Sequence, residues 1–226
     1  VTGAELALEE INSQGGVLGG KLGLEVADTQ TNAQAGVDAA QRLVSVAGVN
    51  GLVGALSSGV SIPVATTVSA TRSVPQISPA STSPVITSLD DKDFMFRSVP
   101  SDALQGTVMG KLAADEGYKT VSIMYINNDY GQGLAEEITK TFEKNGGKVA
   151  ASLAFEAGSA SHRGEISKAS KDGAEALVLI AYPENGTTVV RQALEEGLFS
   201  QFVFSDGLKA PEMSSAIGEE YLKDTV

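Results

Sequence analysis

The sequence predicts an α/β fold with two lobes, each built on a mostly parallel sheet that is flanked by helices. Helix-period and strand-period patterns alternate along the whole chain, which is typical of βαβ units. An extended segment, residues 94–101, lies between two such sets and is followed by a new helix. With 226 residues, 42% of them hydrophobic, the chain is long enough for two packed cores.

The first lobe is expected to comprise residues 1–99. Alternation of Leu22, Leu24 and Val26 predicts its first strand, and the other strands are short apolar runs. The predicted helices are 4–13, 33–46 and 59–70, and the predicted extended segments are 22–28, 51–54, 74–77 and 94–99.

The second lobe is expected to comprise residues 100–226, with a hinge crossover near 97–102. Pro100 and the possible caps Ser101 and Asp102 indicate a helix start. The predicted helices are 102–116, 130–145, 164–171 and 184–196, and the predicted strands are 120–126, 149–155, 176–181 and 202–205. The chain opens on a helix and stops where a helix would lead to another strand. We therefore expect a sequence truncated at both ends.

Composition excludes several classes of function. A net charge of −12 argues against nucleic acid and against anionic membrane surfaces. The sequence has no cysteine, which excludes a thiol nucleophile, and no apolar run long enough for membrane insertion. Its one histidine, His162, is expected to be solvated before a helix. No catalytic residue, cofactor or metal site is predicted.

Two hydroxyl-rich turns follow successive strands of the first lobe. Residues 77–84 carry three hydroxyls between prolines, which stiffen the turn, and Ser57-Ser58-Gly59 follows the preceding strand. Ligands of open parallel sheets bind beyond the carboxyl ends of the strands. We therefore expect the two turns to form one wall of a small-molecule site. The polar turns of the second lobe, at 127–133, 182–186 and 205–207, are expected to face it across a cleft.

These motifs resemble the type I periplasmic binding proteins of branched-chain amino acid (leucine/isoleucine/valine) transporters. The resemblance covers essentially the whole chain and rests on the order and spacing of residues 4–20, 28–30, 52–58, 77–84, 96–102 and 129–133. It implies a type I periplasmic-binding-protein fold, hinged between its lobes. It also implies a periplasmic or otherwise extracytoplasmic receptor that closes on a free amino acid and delivers it to a membrane-embedded ABC permease.

The resemblance implies that the α-carboxylate of the ligand meets hydroxyl and backbone donors. Ser58 would donate its hydroxyl, and Ser81 and Thr82 would supply hydroxyls or backbone N–H groups. Burial of a charged ligand is costly unless each of its charges is paired. The alternative is that Ser57 and Ser58 only cap the helix that follows them.

The ammonium of the ligand needs acceptors, for which the carbonyl of Ala80 and the carboxylate of Asp206 are the candidates. The family often has glutamate at the position of Asp206, so the shorter side chain could contact the ammonium directly, through water, or not at all. An ordinary turn before Gly207 is the alternative role for Asp206. Tyr130 and Tyr182 match positions where the family places aromatic rings. Their alternative role is simple packing.

Two other functions stay open at this point. A regulatory sensor of the same fold would signal to a protein instead of supplying a permease. A hydrolase on an open α/β scaffold would need a nucleophile and an orienting base, and the sequence has no Gly-x-Ser-x-Gly motif.

Overall fold

A computed structural model describes residues 1–223 and 225–226. By its internal contacts the chain divides into two compact units. The first unit comprises Val1–Ala80 and Asp90–Ser98, and the second comprises Ser81–Leu89 and Val99–Val226. Each unit contains a parallel sheet with helices, which confirms the predicted fold class. No helix in the described part of the chain is long and apolar enough to cross a bilayer.

The first unit has a small three-stranded parallel sheet in the order β1-β2-β3. Helical turns of wider pitch, Leu43–Ala47 and Ala65–Ser69, extend its second and third helices. A small core forms where Ala40 and Leu52 pack with valines of the third helix. The elements are α1 (Thr2–Ser13), α2 (Ala33–Arg42), β1 (Leu52–Val53), α3 (Ser58–Val64), α4 (Ala70–Arg72), β2 (Gln76–Ser78) and β3 (Met95–Arg97).

The strand predicted at residues 22–28 is wrong. This stretch has no strand pairing, and Leu22, Leu24 and Val26 are 39%, 38% and 59% exposed. A strand exists only through ladder hydrogen bonds to a neighbour. The sheet of the first unit contains only β1, β2 and β3 among the described residues, and none of them pairs with 22–28. The apolar residues of 22–28 alternate as in a strand, but the segment has no neighbouring strand with which to form ladder hydrogen bonds.

The second unit has a four-stranded parallel sheet in the order β5-β4-β6-β7. The structure confirms the four strands and four helices predicted here, and it adds two short helices after residue 210. The elements are α5 (Asp102–Asp115), β4 (Thr120–Ile126), α6 (Asp129–Lys144), β5 (Lys148–Phe155), α7 (Arg163–Ala169), β6 (Ala176–Ile180), α8 (Pro183–Glu195), β7 (Phe202–Phe204), α9 (Pro211–Ile217) and α10 (Glu219–Leu222).

The strand order places a topological switch point between β4 and β6. From β4 the chain crosses to β5 on one side, and from β5 it returns to β6 on the other. The connections that leave β4 and β6 therefore diverge, which opens a crevice at their carboxyl ends. Every residue of β6 is fully buried, as expected for an apolar strand covered on both faces. The second unit thus offers a rigid sheet edge for a binding site.

Two glycines bring α5 close against α6. A Cβ at Gly110 would lie 2.8 Å from the Ile138 carbonyl oxygen and 2.9 Å from the Phe142 nitrogen. A Cβ at Gly106 would collide with Glu137. The close approach of the two backbones fixes the middle of α5 against the second half of α6.

The turn at residues 77–84 is divided between the units, which the sequence-based boundary at residue 99 does not anticipate. Contacts of residues 81–89 explain the division. The Thr82 carbonyl accepts a hydrogen bond from the Asp102 nitrogen at 2.8 Å. A Cβ at Gly133 would lie 2.8 Å from Cδ of Pro84, so this proline packs against α6. The lobe boundary and the hinge at 97–102 stay predictions.

Candidate ligand-binding site

The carboxyl edge of the second sheet positions Tyr130 and Tyr182 on either side of the switch point. Tyr130 follows β4 as the second residue of α6, and Tyr182 follows β6 immediately before Pro183 opens α8. Asn128 caps α6 by accepting the Gly131 N–H at 2.9 Å, which fixes the helix start. The two rings stack with centroids 5.5 Å apart and planes 14° apart.

Asp206 lies beyond β7, in a short 3₁₀ turn formed by Asp206–Leu208. One carboxylate oxygen, Oδ1, accepts two hydrogen bonds: Tyr130 Oη donates at 3.1 Å and Gln105 Nε2 donates at 2.9 Å. The Leu208 N–H bonds the Ser205 carbonyl at 3.0 Å instead of the Asp206 side chain. The carboxylate is therefore held by distant side chains, and it forms no Asx-turn with the Leu208 N–H.

The electrostatics of this cluster keep the phenol of Tyr130 protonated. Tyr130 is 4% exposed, and burial raises its pKa far above the ordinary value. The negative charges of Asp206 and, more weakly, of the buried Asp102 raise the pKa further. Tyr130 is thus a hydrogen-bond donor at every physiological pH. Asp206 makes no salt bridge in the described part of the chain, so its charge is not neutralised by a cation.

In the first unit, a network around the buried Gln76 holds the turn that leads to Ser58. Gln76 Nε2 donates to the carbonyls of Gly54 and Ser61 at 3.0 and 3.2 Å. Gln76 Oε1 accepts from the Ser69 hydroxyl at 2.8 Å. The hydroxyls of Ser61 and Ser78 also both donate to the Ala55 carbonyl, at 3.1 and 2.5 Å. The turn before α3 is therefore anchored by side chains from β2 and α3.

The structure places the predicted site residues in both units. Ser58 is the first residue of α3 and is 1% exposed. Ala80 is exposed and is the last residue of the turn 77–84 that belongs to the first unit. Ser81 is fully buried and Thr82 is partly buried, and both belong to the second unit. The second unit by itself brings Tyr130, Tyr182 and Asp206 together.

Sequence reasoning missed Gln105 and Gln76. Gln105 lies in the first turn of α5, where a glutamine is ordinarily a solvated helix residue. Its partner Asp206 is 101 residues away in sequence, so no local pattern could indicate the contact. For Gln76 a signal did exist, because an amide within an otherwise apolar strand must find partners when it is buried.

The predicted solvated position of His162 is wrong. The side chain is 1% exposed, and its ring lies edge-on to Phe155 with centroids 4.8 Å apart. The backbone N–H of His162 donates to Gln192 Oε1 at 2.7 Å. The ring of Phe155 and the side-chain amide of Gln192 on α8 thus hold His162 in the second unit. Neither of these partners belongs to the group formed by Tyr130, Tyr182 and Asp206.

Comparison with known proteins confirms the resemblance found in the motifs. The family model described as "Periplasmic binding protein" matches residues 1–226. The leucine-, isoleucine-, valine-, threonine-, and alanine-binding protein of Pseudomonas aeruginosa is 35% identical over 220 residues, which cover 96% of this chain and 58% of that relative. The chain thus spans less than two thirds of this relative's length.

Solved structures support the same assignment of fold. A leucine binding protein, LivK, from Thermotoga maritima has a TM-score of 0.86 at 28% identity, over 96% of this chain and 61% of that one. The branched-chain amino acid transporter substrate binding protein LivJ from Streptococcus pneumoniae, solved in complex with isoleucine, has a TM-score of 0.79 at 25% identity. That match covers 97% of this chain and 62% of the other.

Proposed function

Because the chain belongs to the periplasmic binding protein family, we propose that it is part of an extracytoplasmic receptor for a free amino acid, with branched-chain or other hydrophobic amino acids as the preferred class. The receptor would deliver its ligand to a membrane-embedded ABC permease. The names of the Pseudomonas and Streptococcus relatives support both parts of this proposal.

The hydrogen bonding and the charge of the Asp206 carboxylate carry the proposal. Its carboxylate is oriented by two neutral donors, Tyr130 and Gln105, and no cation of the described chain neutralises it. An oriented carboxylate without a cationic partner is the acceptor that an ammonium group requires. The ring of Tyr182, which stacks on the buried ring of Tyr130 and is itself only partly buried, supplies apolar surface near this carboxylate. An amino acid with an apolar side chain combines these two features.

For the ligand carboxylate, we propose Ser58 and Thr82 as donors, and the Ala80 carbonyl as a further acceptor for the ammonium. The rigid anchoring of the Ser58 turn by Gln76 and Ser78 supports a fixed donor position. Ser81 is a further candidate donor in this turn, and Thr82, which is only partly buried, is the more accessible of the two.

We further propose that the protein acts by binding, without covalent chemistry. The sequence has one histidine and no cysteine. His162 is buried against Phe155, and its Nε2 has no hydrogen-bond partner in the described part of the chain. It is therefore not placed to activate a nucleophile, which favours a receptor over the hydrolase considered from the sequence.

Calorimetry of the purified protein against the twenty common amino acids tests the proposal, after native mass spectrometry has identified any co-purified ligand. We expect micromolar or tighter binding of leucine-like ligands, about −8 kcal/mol. Asp206→Ala should weaken binding by about 2–5 kcal/mol, because it leaves the ammonium unpaired. Asp115→Ala is the matched control, since Asp115 lies at an exposed surface pair with Lys111. Unchanged affinity in Asp206→Ala would remove Asp206 from the site, and no amino-acid binding at all would reject the function.

A further inference from the structure

We propose that Gln105 is a positioning residue that orients Asp206 so that its second oxygen, Oδ2, is presented to the ligand ammonium. Gln105 thereby sets the preference for amino acids over acids that lack the amino group. This inference rests on the function proposed above and adds to it a residue outside the set predicted from the sequence.

Both hydrogen bonds to the carboxylate of Asp206 fall on one of its two oxygens. Gln105 Nε2 and Tyr130 Oη both donate to Oδ1, at 2.9 and 3.1 Å. A carboxylate oxygen has two lone-pair sites, so these two donors satisfy Oδ1. Neither of them donates to Oδ2. The pair of bonds therefore selects which oxygen is left for a further donor.

Two donors also fix the orientation of the short Asp206 side chain. Asp206 is exposed and lies in a three-residue 3₁₀ turn, where its backbone alone does not fix the carboxylate plane. With Tyr130 as the only donor, the carboxylate could still rotate about one hydrogen bond. Two donors that approach from different helices, α5 and α6, hold the plane in one orientation. Preorganisation of this kind lowers the entropic cost of binding.

Gln105 orients the carboxylate of Asp206 without neutralising its charge. An amide N–H is uncharged, so the negative charge of Asp206 stays available to a ligand cation, whereas lysine or arginine at this position would pair with it. The position of Gln105 is itself fixed, because its neighbour Gly106 lies so close to Glu137 that a Cβ would collide there. The amide thus reaches Asp206 from a rigid helix–helix contact.

The test compares two ligands that differ in the amino group, L-leucine and L-2-hydroxy-4-methylpentanoate, by calorimetry on the purified protein and on Gln105→Met. Methionine keeps the length of the side chain but removes the donor. We expect leucine affinity to fall about tenfold, while the weaker affinity for the hydroxy acid changes less than about twofold. Gln34→Met is the matched control, because Gln34 also donates to a carboxylate, that of Asp38, but at an exposed position of α2.

A second variant, Gln105→Glu, gives a pH profile that a merely structural role would not produce. At pH 8 the added carboxylate is ionised, cannot donate a hydrogen bond to Asp206 and repels it. Asp206 therefore loses the orientation that binds the ligand ammonium. Toward pH 5 the introduced group becomes protonated and can donate again, so leucine affinity should recover relative to the unaltered protein. The melting temperature of each variant is measured in parallel to show that the protein is folded.

The outcomes separate this inference from the function on which it rests. A selective loss of leucine binding in Gln105→Met with recovery of Gln105→Glu at low pH supports it. An equal loss for both ligands, or no loss, overturns the role of Gln105 and leaves the receptor function standing. If the unaltered protein binds no amino acid, both the function and this inference are rejected.

Discussion

Gly207 leaves the hydroxyl of Tyr130 just enough room to reach Asp206. A Cβ at Gly207 would lie 3.0 Å from Tyr130 Oη and 2.6 Å from the Ala181 carbonyl oxygen. The turn after β7 and the connection after β6 therefore approach each other as closely as a glycine allows. The same closeness sets the 3.1 Å hydrogen bond from Tyr130 to Asp206.

We predict that Gly207→Ala weakens ligand binding and stability together. The added methyl must push Tyr130 or the Ala181 backbone aside, and overpacking of this kind costs about 1–3 kcal/mol. Urea unfolding and calorimetry with L-leucine measure the two effects. Gly164→Ala in α7 is the matched control, since a Cβ there meets nothing within 4 Å. Wild-type affinity in Gly207→Ala would show that Tyr130 does not depend on this contact.

The features of this site that the sequence predicted are those with local causes. Apolar runs such as Ala176–Ile180 indicate buried strands, and a polar turn must follow each of them at the carboxyl edge of a parallel sheet. The turns at 127–133, 182–186 and 205–207 are predicted in this way, whereas Tyr130, Tyr182 and Asp206 within them are implied by the family resemblance. Their hydrogen bonds could not be predicted, because the contact of Asp206 with Gln105 spans 101 residues and depends on the α5–α6 packing.

Two predictions from the sequence are wrong because they depend on non-local contacts. Leu22, Leu24 and Val26 alternate as in a strand, but pairing depends on a neighbour that alternation does not specify. His162 stands in a polar stretch, and its burial depends on Phe155 at the end of β5 and Gln192 on α8. In both places the local pattern was correctly recognised and tertiary packing decided the outcome.

The raised pKa of Tyr130 predicts a loss of stability at alkaline pH. Tyrosine in the unfolded chain ionises near pH 10, whereas burial and the charge of Asp206 keep the folded Tyr130 neutral. The contribution to stability is therefore complete below about pH 10 and is lost as the pH rises above it. Urea unfolding at pH 8 and at pH 10.5 should show a smaller loss in Tyr130→Phe than in the unaltered protein. Tyr221→Phe, at an exposed position, is the control and should behave as the unaltered protein does.

Gln76→Leu should destabilise the first unit. Leucine is close in size to glutamine but leaves the Gly54 and Ser61 carbonyls and the Ser69 hydroxyl without their amide partner. Each buried group that loses its hydrogen bond costs about 1–3 kcal/mol, although neighbouring serines can recover part of this. Hydrogen exchange followed by mass spectrometry should show faster exchange in residues 54–61, with the second unit unchanged. Protection of this turn equal to that in the unaltered protein would contradict the anchoring role of Gln76.

The buried His162 predicts a loss of stability in mild acid. Burial lowers its pKa below the ordinary value, and Glu165 opposes this shift only in part. The ring also stands at the N-terminus of α7, whose dipole disfavours a positive charge. Histidine in the unfolded chain binds a proton near pH 6.5, before the folded one does. Its contribution to stability is therefore present above about pH 6.5 and is lost as the pH falls toward the pKa of the folded state.

Other charged groups near His162 include Arg163, which pairs with Glu195 and Glu196 at 2.6 Å. Those groups are present both in the unaltered chain and in His162→Gln, so their effect cancels when the two proteins are compared. The free energy of unfolding is measured for each protein at pH 7.5 and at pH 5.5, and the difference between their changes reports the imidazole alone. We expect the unaltered protein to lose more stability over this interval than the variant, and equal losses would mean that His162 accepts a proton as readily in the folded protein as in the unfolded chain.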